Sequence, residues 1–357
     1  MITGNRGEWS EIYTLFRLLG DGKVHAGDAD MNPLPLYYPI LNIIRQESAL
    51  YEYKPDTDKN IVVITEDGTE IARISMRRFF DESIHLLNEI RMGNKAAFSI
   101  PETEQFMSEI GCSRLKAPSK DKADIHIVIH DLRTNMTPNL GFSIKSQLGN
   151  PSTLLNAGMP TNIRMKVVGL TDDDIATQIN MIEEHIPKVQ NIYERGYHLE
   201  YADIDHDTFK NNLLFIDSNL PELMALCLIE SSRHAGHDGV KEVVQSVAKD
   251  NPFGYRGCNV ATYYEHKMKQ LLIDTALGMT AAKEWNGQYD ANGGYLVVKS
   301  DGDIVCYHFY NRNDVEDYLF NNTRFERASR SRYQFGFVYK YNGEYFMDLN
   351  LQIRFKK

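Results

Sequence analysis

The stretch from Lys122 to Leu148, KADIHIVIHDLRTNMTPNLGFSIKSQL, constrains the chain more than any other, because strand periodicity and reactive side chains coincide in it. Ile125, Ile127 and Ile129 alternate with Asp124, His126, Val128 and His130, the period-2 pattern of a strand with one buried face. Phe142, Ile144 and Leu148 repeat the pattern against Ser143, Lys145 and Gln147. Between the two runs, the polar segment 132–139 with Thr137-Pro138-Asn139 supplies a turn. An antiparallel hairpin follows. Folded about the middle of that turn, it sets Asp124 opposite Lys145 to Gln147, so a carboxylate, a lysine and an amide share one face at the open end. Such oxygen ligands can hold a divalent cation, and the ammonium can sit beside a water or a phosphate oxygen. On pattern alone, a structural hairpin with a polar outer face is an equal reading, since short motifs have a high false-positive rate.

An acidic residue at the head of one strand, followed about twenty residues later by residue-x-Lys on the next, resembles the PD-(D/E)xK nuclease core. Ala123 stands where that motif has Pro, and Ser143 where it has a second carboxylate. The flanks carry a more specific likeness. Gly4-Asn5-Arg6-Gly7-Glu8-Trp9-Ser10-Glu11-Ile12-Tyr13, the run from Gly141 to Gly149, the run from Pro151 to Ala157 and the arginine-rich run near Phe325 are together similar to the HpaII family of type II restriction endonucleases.

That resemblance implies a restriction-endonuclease-like α/β fold, a mixed sheet flanked by helices, with a β-rich C-terminal region. It implies a Mg²⁺-dependent enzyme that cuts double-stranded DNA at a short palindrome, CCGG in the family's namesake. Asp124 would bind Mg²⁺, with Gln147, Ser143 and Glu8 completing the shell, and Lys145 would polarise the attacking water or stabilise charge on the scissile phosphate. A palindromic site mirrors a twofold axis, so a homodimer is expected, and a companion DNA methyltransferase would protect the host. The missing carboxylate at Ser143 leaves an alternative open, a non-cleaving DNA-binding or regulatory protein on the same fold.

Composition sets outer bounds. With 357 residues, 42% hydrophobic and 25% charged, the chain reads as ordinary soluble protein with one large core or two modest ones. No run approaches a membrane span and no export signal is evident, so a cytoplasmic location is expected. Cys112, Cys227, Cys258 and Cys306 lie far apart with no C-x-x-C, which argues against a zinc site and a disulfide framework. A net charge of −10 is awkward for a partner of DNA, because phosphate neutralisation is a main source of affinity. The charge is uneven, however. Residues 283–357 hold 11 Lys+Arg against 10 Asp+Glu, leaving 28 against 39 in the rest.

Taken in order, the spacing predicts a helix over 8–19, a loop through the prolines at 33, 35 and 39, and a hairpin over 61–74. Helices follow over 79–92 and 102–110. Beyond the central hairpin come a strand at 163–168, one long helix capped near Thr171 and stopped by Gly196, a short strand at 213–216, and helices at 220–230 and 260–277. From about residue 284 the texture turns aromatic and β-rich, with Asp301-Gly302 and Asn342-Gly343 as tight hairpin turns. Between those turns, Arg324, Arg327, Ser329, Arg330 and Arg332 fall in one short run whose arginine forks suit guanine edges or phosphates. Three segments result: an N-terminal helical region 1–120, a nuclease core 121–282 and a DNA-recognition region 283–357.

Overall fold

The computed structural model describes residues 1–116, 123–257, 259–289, 292–327 and 335–357, and there the chain has a mixed α/β fold. Two compact units share it: residues 1–152, 290–318 and 357 in the first, 153–289 and 319–356 in the second. The 283–357 segment is therefore divided between the units and is not a β-rich region of its own.

The first unit opens with α1 (Arg6–Asp21), on which Trp9, Ile12, Tyr13, Phe16 and Leu19 are all buried, as their spacing requires. Next come β1 (Lys23–Gly27), β2 (Pro33–Gln46), β3 (Leu50–Asp56), β4 (Ile61–Glu66) and β5 (Thr69–Ser75), then α2 (Met76–Met92) and α3 (Pro101–Glu109). The central hairpin is β6 (Ile125–Ile129) and β7 (Asn139–Ser146). In the second unit, β8 (Thr153–Leu155), β9 (Asn162–Val168), α4 (Asp173–Asn180), α5 (His185–Glu194) and β10 (His198–Asp203) lead to α6 (Asp207–Ile216), α7 (Leu220–Arg233), α8 (Val240–Asp250) and α9 (Ala261–Ala276). The chain then returns to the first unit with β11 (Gly294–Val298) and β12 (Ile304–His308), and crosses back along α10 (Arg312–Asn322). It ends on β13 (Thr323–Phe325), β14 (Val338–Tyr341), β15 (Glu344–Asn350) and β16 (Ile353–Phe355).

A nine-stranded sheet in the order β1-β12-β11-β7-β6-β2-β3-β4-β5 organises the first unit. It is mixed: β11 runs parallel to β7 and β1 parallel to β12, while the remaining pairs are antiparallel. The prolines at 33, 35 and 39, read from sequence as a loop, lie in β2 instead. The reason is that β2 changes partners along its length. Its first half pairs with β1, and only from Ile40 onward does it carry β6 and β3 on its two sides. A residue without an N–H is tolerated where one ladder is missing. The second unit has a four-stranded antiparallel sheet, β10-β9-β15-β14, and a three-stranded one, β13-β16-β8.

Two further expectations fail there. The single helix expected from 171 to 195 is two, α4 and α5, with the break before Pro187. A proline at that position clashes with a preceding helical turn but fits the first turn of a new helix. The short strand expected at 213–216 is the last turn of α6, which buries Phe209 and Leu213 at i, i+4 spacing. Of the cysteines, Cys112, Cys227 and Cys306 are free buried thiols, and Cys258 lies outside the described residues.

Candidate active site

The hairpin forms with the predicted parity: Ile125, Ile127 and Ile129 are buried while His126 and Val128 are half-buried. Its register differs from the expected one. Ile125 pairs with Phe142 and Val128 with Asn139, because an Asp131–Met136 bridge closes the turn around Arg133 and Thr134 and not around its middle by residue count. Asp124 therefore faces Ser143 and Ile144, and not the Lys145–Gln147 stretch. Its backbone N–H donates to the Phe142 carbonyl at 2.9 Å, and its Oδ2 accepts from the Ile144 N–H at 2.6 Å. From Ile144 onward β7 no longer has β6 beside it. Lys145 stands on that free end.

α1 brings a third group to the same place. Ser10 Oγ and Ser146 Oγ lie 2.8 Å apart, joining the helix to the end of β7, and the next residue of the helix is Glu11. Burial, reinforced by the Asp124 carboxylate, pushes the Glu11 carboxyl up to about 8, with Arg45 and Lys116 pulling the other way. Burial likewise pulls the Lys145 ammonium below the ordinary lysine range, opposed by Asp124 and Glu11. That ammonium sits 5.2 Å from the ring centroid of Tyr295, whose backbone pairs with Ser143 across the parallel β7–β11 ladder. Glu11 Oε2 is buried and accepts no hydrogen bond among the described residues. Two carboxylates and a lysine, crowded together with an unfilled acceptor between them, suit a divalent cation and a phosphate. Among the described residues no three His, Cys, Asp or Glu side chains converge as a metal cluster.

The other expected site residues are placed as follows. Glu8 completes a capping box: the Asn5 side chain accepts from the Glu8 N–H at 3.0 Å, and Glu8 Oε2 accepts from the Asn5 N–H at 2.8 Å. Its other oxygen pairs with Lys116 at 2.6 Å. Glu8 is thus committed to the helix start, and Glu11, one turn on, is the helix's carboxylate beside Asp124. The signal for this was legible, since Asn5-x-x-Glu8 is itself a capping-box spacing. Gln147 accepts from the Ser300 N–H at 3.1 Å and donates to Met31 Sδ at 3.5 Å, so its amide oxygen already has a backbone partner. Ser143 remains beside Asp124, opposite Tyr295.

In the second unit, Arg324 divides its guanidinium between Asp238 at 3.1 Å and Glu326 at 3.0 Å, so its fork is held within the protein. Arg327 donates to the Ser231 carbonyl at 2.7 Å, and burial lowers the proton affinity of its guanidinium. Ser329, Arg330 and Arg332 lie outside the described residues.

Comparison with known proteins bears directly on this arrangement. The family model described as HpaII restriction endonuclease matches residues 5–355. The type II restriction enzyme HpaII of Haemophilus parainfluenzae is 44% identical over 360 residues, covering 99% of this chain and 98% of that protein. No solved structure matches the chain. With a match that runs through α1, the central hairpin and the arginine-bearing segment alike, the chain belongs to the HpaII restriction endonuclease family.

Proposed function

We propose that the chain is a type II restriction endonuclease that hydrolyses phosphodiester bonds of double-stranded DNA at a short palindrome, CCGG, with Mg²⁺ as its cation. The observation that carries this reading is the meeting of Glu11, Asp124 and Lys145 at the free end of β7, in a chain 44% identical over nearly its whole length to a restriction enzyme. The fold is read accordingly as restriction-endonuclease-like.

Asp124 and Glu11 would hold the cation, and the unfilled Glu11 Oε2 is the acceptor that fits it. When bound, the cation supplies Lewis-acid assistance to a water and to the scissile phosphate. Asp124 is oriented for this by the Ile144 N–H. The Lys145 ammonium, fixed over the Tyr295 ring, donates to a non-bridging phosphate oxygen and offsets the negative charge that builds in the transition state. Ser143 contributes no charge, so Glu11 stands in for the carboxylate that the PD-(D/E)xK pattern places there. Gln147 serves the site by tying the end of β7 to Ser300. In the second unit, Arg327 with Ser329, Arg330 and Arg332 reads the target, and Arg324 supports them through its ion pairs.

A palindromic target calls for a homodimer, and a host carrying the enzyme needs a DNA methyltransferase of the same specificity. No single helix among the described residues is long and apolar enough to cross a membrane, which suits an enzyme working on cytoplasmic DNA. The test is a digest of a fully sequenced plasmid with purified protein and Mg²⁺. Discrete fragments whose ends map to CCGG are expected. Intact but retarded DNA would favour the non-cleaving alternative, and fragments ending elsewhere would overturn the specificity.

A further inference from the structure

In a chain of net charge −10, cations without carboxylate partners are informative. Elsewhere in the first unit Arg17, Arg45, Arg78 and Arg114 each pair with a carboxylate. A cavity of about 650 Å³ is different: Arg6, Lys95 and Lys357 line it together with Asn5, Asn94, Asn150 and small residues, and no acidic side chain does. Arg6 builds it. Its half-buried guanidinium donates to the Gly93 carbonyl at 2.7 Å and to the Leu148 carbonyl at 3.3 Å, joining the segment after α2 to the segment after β7. Neither Arg6, Lys95 nor Lys357 forms an ion pair among the described residues. Gly7, Gly93 and Gly149 keep the walls free of side chains, so a ligand can approach backbone as well as cations.

We propose that this cavity binds a backbone phosphate of the DNA strand, two or three nucleotides from the one that is cut. The inference rests on the endonuclease reading above. Its placement follows from the two elements that carry the reactive groups. Arg6 lies five residues before Glu11 on α1, ~7.5 Å along the helix axis. Gly149 and Asn150 lie just past Lys145, at the far end of β7. Phosphates of one strand are spaced ~3.4 Å along the duplex axis, so two or three nucleotides span ~7–10 Å. An anchor at that distance would fix the register of the strand before chemistry, without reading its sequence.

The test measures binding of a duplex containing CCGG by the full-length protein in EDTA, at several salt concentrations. Lys95→Ala/Lys357→Ala is compared with wild type and with Lys59→Ala, an exposed lysine whose partner is Asp56. Affinity is expected to fall ~10-fold in the double variant, and the slope of log K against log salt to fall by ~1.8, or ~0.9 per lost contact. Lys59→Ala should leave both unchanged. A second arm replaces one phosphate at a time by an uncharged methylphosphonate. One position should weaken wild type ~5- to 10-fold yet have no effect on the double variant, which separates a strand phosphate from general electrostatic attraction.

If wild type binds and cuts while the double variant keeps its affinity and slope, or if every methylphosphonate costs both proteins equally, the cavity is not a phosphate site. A wild-type chain that neither binds nor cuts the duplex would overturn the endonuclease reading, and this inference with it. Equal melting temperatures for all three proteins exclude misfolding as the cause of any loss.

Discussion

Glu11 and Glu47 are both carboxylates withdrawn from solvent in the first unit, and the protein treats them in opposite ways. Glu47 is saturated: one oxygen accepts from Arg45 Nε at 3.0 Å, and the other from Ser113 Oγ at 2.6 Å and Arg114 Nε at 3.2 Å. Glu11 has a buried oxygen with no hydrogen-bond donor and a second carboxylate nearby that raises its proton affinity. Buried polar groups are normally satisfied, so a buried carboxylate left unmet and beside another marks a place kept for a ligand. Glu47 fastens the structure, whereas Glu11 is held at a cost that a bound cation would relieve.

The largest effect that tests this contrast is on cleavage. Asp124→Ala and Lys145→Ala should each lower the cleavage rate by ~10³-fold or more while DNA binding in EDTA stays within a few-fold of wild type. Cleavage by either variant near the wild-type rate would show that the reactive groups lie elsewhere. On the structural side, Glu47→Ala leaves Arg45 and Arg114 without their counter-charge and should cost ~3–5 kcal/mol in denaturant unfolding. Glu11→Gln should cost little in the same experiment yet abolish cleavage. If both substitutions destabilise alike, the two carboxylates do not differ in kind.

A smaller effect concerns the arginines. Arg327→Ala should weaken the cognate duplex by ~1–3 kcal/mol more than random DNA, as expected for a lost bidentate base contact. Arg324→Ala should lower thermal stability and spare that discrimination, because its fork is already given to Asp238 and Glu326. Equal losses on cognate and random DNA for Arg327→Ala would instead mark a phosphate contact.

The smallest is a pH dependence. Glu11 binds its proton up to about pH 8 in the folded chain, whereas the ordinary value in an unfolded one is 4.5. Between those values the folded state holds more protons, so Glu11 makes the metal-free protein less stable as pH rises. Thermal melts in EDTA should therefore show Glu11→Gln gaining on wild type by a few degrees as pH rises from 4.5 to 8. Saturating Mg²⁺ should narrow that gap. A constant difference across the range would remove the crowded-carboxylate account.

Local pattern determined much of this protein. The amphipathic α1, the parity of β6, the tight turns at Asp67-Gly68 and Asn342-Gly343, and the candidacy of Asp124 and Lys145 all rest on periods and turn chemistry that act over a few residues. Tertiary structure decided the rest. The register of the hairpin depended on a bridge inside its loop, β2 admitted three prolines because its partners change along its length, and the C-terminal segment was shared between two units. The choice of Glu11 over Glu8 also lay partly beyond the sequence, although the capping box was written there. What separates those two glutamates is which oxygen finds a donor and which is left facing another carboxylate, and that depends on groups more than a hundred residues away along the chain.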